Sequence, residues 1–88
     1  MLGMNVAEDI IAIVSDVSGY DREQITLETN IVKDLEVDSI KAIEITVAIE
    51  KKYKLAVRDE DVPRIVSVKD AVELVEKLLA QMSTNVKK

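Results

Sequence analysis

Any chemistry in this chain must come from carboxylates, lysines, tyrosines or a group added from outside, because it contains neither cysteine nor histidine. That excludes disulfides, thiolate nucleophiles, Cys/His zinc clusters and every triad built on an imidazole. The carboxylates do not converge as a catalytic pair; they follow helix starts and solvent faces. Asp59-Glu60-Asp61 is an acidic run, yet consecutive residues cannot all face one ion without a dedicated loop, and EF-hand spacing is absent. No metal site and no enzyme activity are expected, and no glycine-rich loop supports a nucleotide. The informative spacing is Asp34-Leu35-Glu36-Val37-Asp38-Ser39-Ile40, which sets a serine in the first turn of a helix directly after a long loop. Unpaired amides and the positive end of the helix dipole favour an anion attached to that hydroxyl. Taken alone, the same Asp-Ser pair also reads as an ordinary helix cap.

The elements that must position this serine follow from composition and period. The chain has 88 residues, room for one domain with a modest core. We expect the folded part over about 4–82 and a flexible tail over 83–88. Hydrophobic residues make up 48% and aromatics only 2%, so the core is aliphatic. With 33% charged residues, two glycines and one proline, there is little material for hairpins. The fold class expected is all-α: a small four-helix bundle of three longer helices and a short third one, with a long ordered loop between the first two. Twelve basic against seventeen acidic residues leave a net charge of −5, the wrong sign for a nucleic-acid binder. Ile10 to Val14, the longest apolar stretch, is far too short to insert in a membrane. The start Met1-Leu2-Gly3-Met4 has neither a basic region nor a cleavage-like site, so the expectation is a cytoplasmic monomer.

Val6, Ile10, Ile13, Val14 and Val17 recur at helical spacing over roughly residues 4–17, with Gly19 where a C-terminal cap belongs. Residues 18–37 carry no sustained period, but Ile25, Leu27, Ile31 and Leu35 are spaced to pin an ordered loop across the bundle. The second helix is predicted from Ser39 to Lys52 with Asp38 as its cap. Pro63 shortens the third to a turn or two after the acidic run. Ser67 and Asp70 read as a capping box opening the last helix, whose stripe is Val68, Ala71, Val72, Val75, Leu78, Leu79 and Met82.

At 100° per residue the second helix shows two apolar stripes. Ala42, Ile45, Ile49 and Tyr53 fall on one side, and Ile40, Ile43 and Val47 nearly opposite. Lys41, Glu44, Lys51 and Lys52 fill one polar sector between them, Thr46 and Glu50 the other. One stripe seats a helix on a core. A second is either a strip offered to a partner or further packing against the 18–37 loop.

Asp34-Leu35 followed by Asp38-Ser39-Ile40 resembles the Asp-Leu-Gly-x-Asp-Ser-Leu stretch of acyl carrier proteins. Ile65-Val66-Ser67-Val68 before the final helix, the acidic short third element and the aliphatic first helix fall at the expected separations, so the resemblance covers about residues 4–82. It implies a carrier with 4′-phosphopantetheine, donated by coenzyme A, attached to Ser39. The arm ends in a thiol, which a chain without cysteine would have to borrow. Asp38 would support the serine as cap and, in the transferring enzyme, help hold a metal. The implied partners are a phosphopantetheinyl transferase and the enzymes that load and process acyl groups. Ala42, Ile45, Ile49, Tyr53 and Ile65 become candidates for an acyl pocket. Ile40, Lys41, Ile43, Glu44, Val47, Glu50 and Lys51 become candidates for the partner surface. An aminoacyl or peptidyl carrier has the same Ser39 chemistry, and a non-carrier helical interaction module is the alternative from another class.

The chain departs from that family pattern at three places. Glu36 stands where glycine is common, so a conformation that glycine permits must be adopted by a residue with a side chain, or avoided. Ile40 replaces the usual leucine. Lys41, Lys51 and Lys52 occupy positions where fatty-acid carriers often have acids. Against Glu44 and Glu50 they give the second helix a net charge of +1. Partners of the family generally present basic patches there, so a specialised partner set is expected.

Overall fold

The computed structural model describes residues 5–58 and 60–86, with side chains through Gln81. Helix α1 spans Val6–Ser18. It starts at Val6 because Asn5 is its cap, accepting the Glu8 amide at 3.2 Å. It ends where Gly19 turns to φ +85° and donates its amide to the Ser15 carbonyl, a left-handed position that glycine takes without steric cost.

The connection that follows is ordered, as expected, and holds a 3-10 turn over Arg22–Gln24 and the short helix α2, Ile31–Asp34. Ile25, Ile31 and Leu35 are buried anchors, whereas Leu27 is 38% exposed. The loop owes its order to a backbone exchange with the segment entering the last helix. Ile31 N–H donates to the Val66 carbonyl at 2.8 Å, and Val68 and Lys69 N–H donate back to the Thr29 and Leu27 carbonyls at 3.1 and 3.0 Å. Opening amides of a helix have no partner within it; here the loop supplies acceptors.

Helix α3, Ser39–Tyr53, is the predicted second long helix extended by one residue. Lys54 closes it in the left-handed region at φ 55°. The short third helix is a single 3-10 turn over Val62–Arg64 that contains Pro63. Proline is tolerated at the start of a turn, where an amide has no acceptor to lose. Asp59 lies outside the described residues.

Helix α4 spans Val68–Val86. Its capping box forms in both directions: Asp70 N–H donates to Ser67 Oγ at 3.2 Å, and Ser67 N–H to Asp70 Oδ2 at 3.0 Å. The Ser67 amide is the main reason the Asp70 carboxyl titrates below its usual 3.8; slight desolvation opposes this, and the Val66 amide adds to it. The helix continues through Val86, into the stretch expected to form the tail. No glycine or proline interrupts residues 83–86, and each added residue propagates an existing ladder. The Met82 side chain, Lys87 and Lys88 lie outside the described residues.

Helix α1 packs against both α3 and α4. Ile10, Val14, Ile49, Val68 and Val75 meet at the centre, essentially without solvent access. The result is the expected small all-α bundle, with no strand among the described residues.

Candidate functional site

Leu35 and Val37 are buried, and Glu36 between them is exposed with φ +53°. The conformation that glycine permits is therefore adopted by a glutamate. The two flanking anchors hold it there, and the turn swings the chain from α2 into α3. Asp38 is extended and its Oδ1 accepts the Lys41 amide at 2.9 Å, while its carbonyl accepts the Ala42 amide at 2.9 Å. Asp38 thus does the capping, which frees Ser39 from that duty. Ser39 is exposed, and its hydroxyl has no hydrogen-bond partner among the described residues.

These residues fit a phosphodiester. The oxygen is accessible and uncommitted, and it sits at the N-terminus of a 15-residue helix, where the dipole favours an anion. The Asp38 charge opposes that preference. The carboxylate is turned onto an amide, however, and solvent screens what remains.

Ser39 lines a mainly apolar surface groove of about 490 Å³ together with Val32, Val37, Ile43, Pro63 and Val66. Sharing Ala42, Val62 and Ile65 with it is a gap of about 20 Å³ lined also by Ile31, Ile45 and Thr46. Three of the five pocket candidates, Ala42, Ile45 and Ile65, therefore come together. Ile49 and Tyr53 do not line this gap. They share the stripe but lie about 6 and 12 Å beyond Ile45 along the helix axis at 1.5 Å per residue, inside the bundle core.

The polar sectors of α3 make contacts with other parts of the chain. Thr46, assigned to a polar sector, is 7% exposed, lines the gap and donates its hydroxyl to the Ala42 carbonyl at 3.0 Å. That bond to the preceding turn lets a threonine sit inside a helix interface, a signal its position alone does not carry. Glu50, placed at the partner surface, is half-buried, and its Oε2 accepts the Val57 amide at 2.8 Å. Lys52 turns toward α1, 3.9 Å from Asp9 Oδ1. The outer stripe is open: Ile40, Ile43 and Val47 are 69%, 57% and 39% exposed. Lys41, Glu44 and Lys51 are exposed beside it.

The family model described as "Phosphopantetheine attachment site" matches residues 8–80, with Asp38-Ser39 inside the match. Among curated relatives, the acyl carrier protein of Helicobacter acinonychis (strain Sheeba) is 38% identical over 73 residues, 83% of this chain and 94% of the relative. That of Campylobacter concisus (strain 13826) is 33% identical, covering 85% and 97%. That of Rhodococcus erythropolis (strain PR4 / NBRC 100887) is 38% identical, covering 84% and 86%.

The chain belongs to the acyl carrier protein family. Acyl carrier proteins are carriers rather than enzymes, and the prosthetic group of this one is covalently attached 4′-phosphopantetheine. Its partners as an acyl carrier protein are enzymes that modify it and process its cargo. Among the described residues no helix is long and apolar enough to cross a membrane, and no cluster of acids is arranged to hold a metal.

Proposed function

We propose that Ser39 carries the arm, and that the chain presents acyl intermediates to partner enzymes in fatty-acid, lipid or polyketide-type biosynthesis in the cytoplasm. The observation that carries this reading is the division of labour at the start of α3. Asp38 satisfies the Lys41 amide, so the neighbouring hydroxyl is left exposed and unengaged. In the transfer, Ser39 Oγ displaces the nucleotide of coenzyme A. A bond forms from the serine oxygen to the phosphorus nearer the pantetheine, the pyrophosphate bridge breaks, and the serine proton passes to a base on the transferase. The bound arm supplies a terminal thiol on which cargo is held as a thioester. The chain's own contributions are an anchored attachment oxygen, a helix end that tolerates the phosphodiester, and an apolar groove beside it. Ala42, Ile45 and Ile65 are the residues we assign to cargo. Their gap is water-sized, so a chain enters by parting the 62–65 segment from α3.

Intact mass after incubation with coenzyme A and a phosphopantetheinyl transferase tests the assignment. One added arm is expected on the wild type and none on Ser39→Ala, whose fold loses at most about 1 kcal/mol because the Asp38 cap remains. An unmodified wild type supports the helical interaction module instead. An arm mapped to Ser15, Ser18, Ser67 or Ser83 removes the Ser39 assignment.

A further inference from the structure

We infer that Thr46 fits the cargo gap to short acyl groups that carry a hydroxyl, by accepting a hydrogen bond that a wholly aliphatic gap could not offer. The inference rests on the carrier reading, with the arm on Ser39 and cargo in the gap beside Ala42, Ile45 and Ile65, and it names the class of cargo.

Among the described residues that line the gap, Thr46 has the one polar side chain; the others are aliphatic. Thr46 is 7% exposed, so its hydroxyl is not there to meet solvent. A threonine hydroxyl has a proton to donate and lone pairs that accept. The proton goes to the Ala42 carbonyl at 3.0 Å, a bond that satisfies the hydroxyl but adds nothing to the helix. Among the described residues no donor meets its lone pairs. Valine has the same branching and would fill the position with no polar atom to satisfy. A trapped water does not account for the hydroxyl either. At about 20 Å³ the gap has room for one, but a buried water takes about two to four polar partners, and the lining side chains offer a single hydroxyl.

Cargo that enters the gap leaves water behind. A methylene gains by this, whereas a hydroxyl loses its hydrogen bonds and is penalised unless a partner replaces them. Thr46 Oγ1 supplies that partner while still donating to the Ala42 carbonyl, so no existing bond is lost. A keto oxygen is served worse, because it needs a donor and the Thr46 proton is already committed. The gap is small enough that a few carbons fill it, so the cargo is short. A 3-hydroxybutyryl group has this chemistry, and butyryl is the same chain without the hydroxyl.

The test loads the full chain from 3-hydroxybutyryl- or butyryl-coenzyme A with a phosphopantetheinyl transferase, so that each cargo arrives on the arm and intact mass confirms loading. Dithiothreitol then attacks the thioester. The rate of cargo loss, compared with that of the same acyl-coenzyme A free in solution, gives the protection. Wild type should protect 3-hydroxybutyryl at least as well as butyryl. Thr46→Val should lower protection of 3-hydroxybutyryl on the order of tenfold and leave butyryl protected. If valine removes protection from both cargoes, it has repacked the gap, and two further variants decide. Thr46→Ser must then keep the wild-type ratio of the two protections, and Thr46→Ala must lose it. The same ratio in wild type and Thr46→Val, or a serine variant that behaves like alanine, overturns the inference. Loading without protection of either cargo overturns it alone and leaves the carrier reading standing. A chain that takes up no acyl arm overturns both.

Discussion

The Tyr53 hydroxyl donates a 2.7 Å hydrogen bond to Asp9 Oδ2 across 44 residues of sequence, tying the end of α3 to the first turn of α1. Burial, and then this bond to a carboxylate, push the Tyr53 phenol well above its ordinary 10.0. A phenol raised in the folded state stabilises fully below the unfolded value and loses that contribution as pH climbs toward the folded one. Tyr53→Phe should therefore cost about 1–2 kcal/mol at neutral pH, read as a lower thermal midpoint. The gap between wild type and variant should narrow as pH rises beyond 10.0. A gap that stays constant to high pH would show that the phenol titrates alike in both states and contributes only packing.

The two stripes of α3 should respond very differently to truncation. Ile49 is 1% exposed and Ile43 57%. Ile49→Ala should cost about 2–5 kcal/mol through lost transfer energy and a cavity, while Ile43→Ala should stay within about 0.5 kcal/mol. Urea midpoints measure both. Comparable large losses would place Ile43 in the core and remove the docking strip.

Glu36 at φ +53° is strained for a residue with a Cβ, a cost of about 1–2 kcal/mol. Glycine relieves that strain but adds freedom to the unfolded chain, about 0.4–1 kcal/mol in the other direction. The one side-chain contact at stake, Tyr20 Oη to Glu36 Oε2, is long at 3.5 Å. Glu36→Gly should thus stabilise the fold by up to about 1 kcal/mol, and Glu36→Val should destabilise it. A destabilised glycine variant would mean that the Tyr20 contact outweighs the strain.

Much of this molecule is written in local sequence, for a physical reason. Helix periods, the Asp38 cap, the Gly19 stop and the Ser67/Asp70 box depend on residues within about a turn of one another. Spacing can therefore reveal elements of this kind. The same holds for the serine at the start of α3, for the inward stripe of Ile45 and Ile49, and for the outward one of Ile40 and Ile43. The 3-10 form of the third element and the length of α4 were less legible. Proline placement and the fraying of a helix end turn on small differences among competing local states.

Tertiary structure alone decided what each side chain meets once the helices pack. Nothing in sequence spacing says that Glu50 will serve the Val57 amide, that Lys52 will reach Asp9, or that Thr46 will face inward. A helical wheel assigns an angle, but the neighbour at that angle comes from a distant part of the chain. The wheel also ignores distance along the axis, which is why Ile49 and Tyr53 shared a stripe with Ala42 and Ile45 but not their gap. The 18–37 loop is ordered for a similarly non-local reason, since its carbonyls are the acceptors that the start of α4 lacks. Sequence set Ser39 at the start of α3; the fold decided which neighbouring charges meet other parts of the chain.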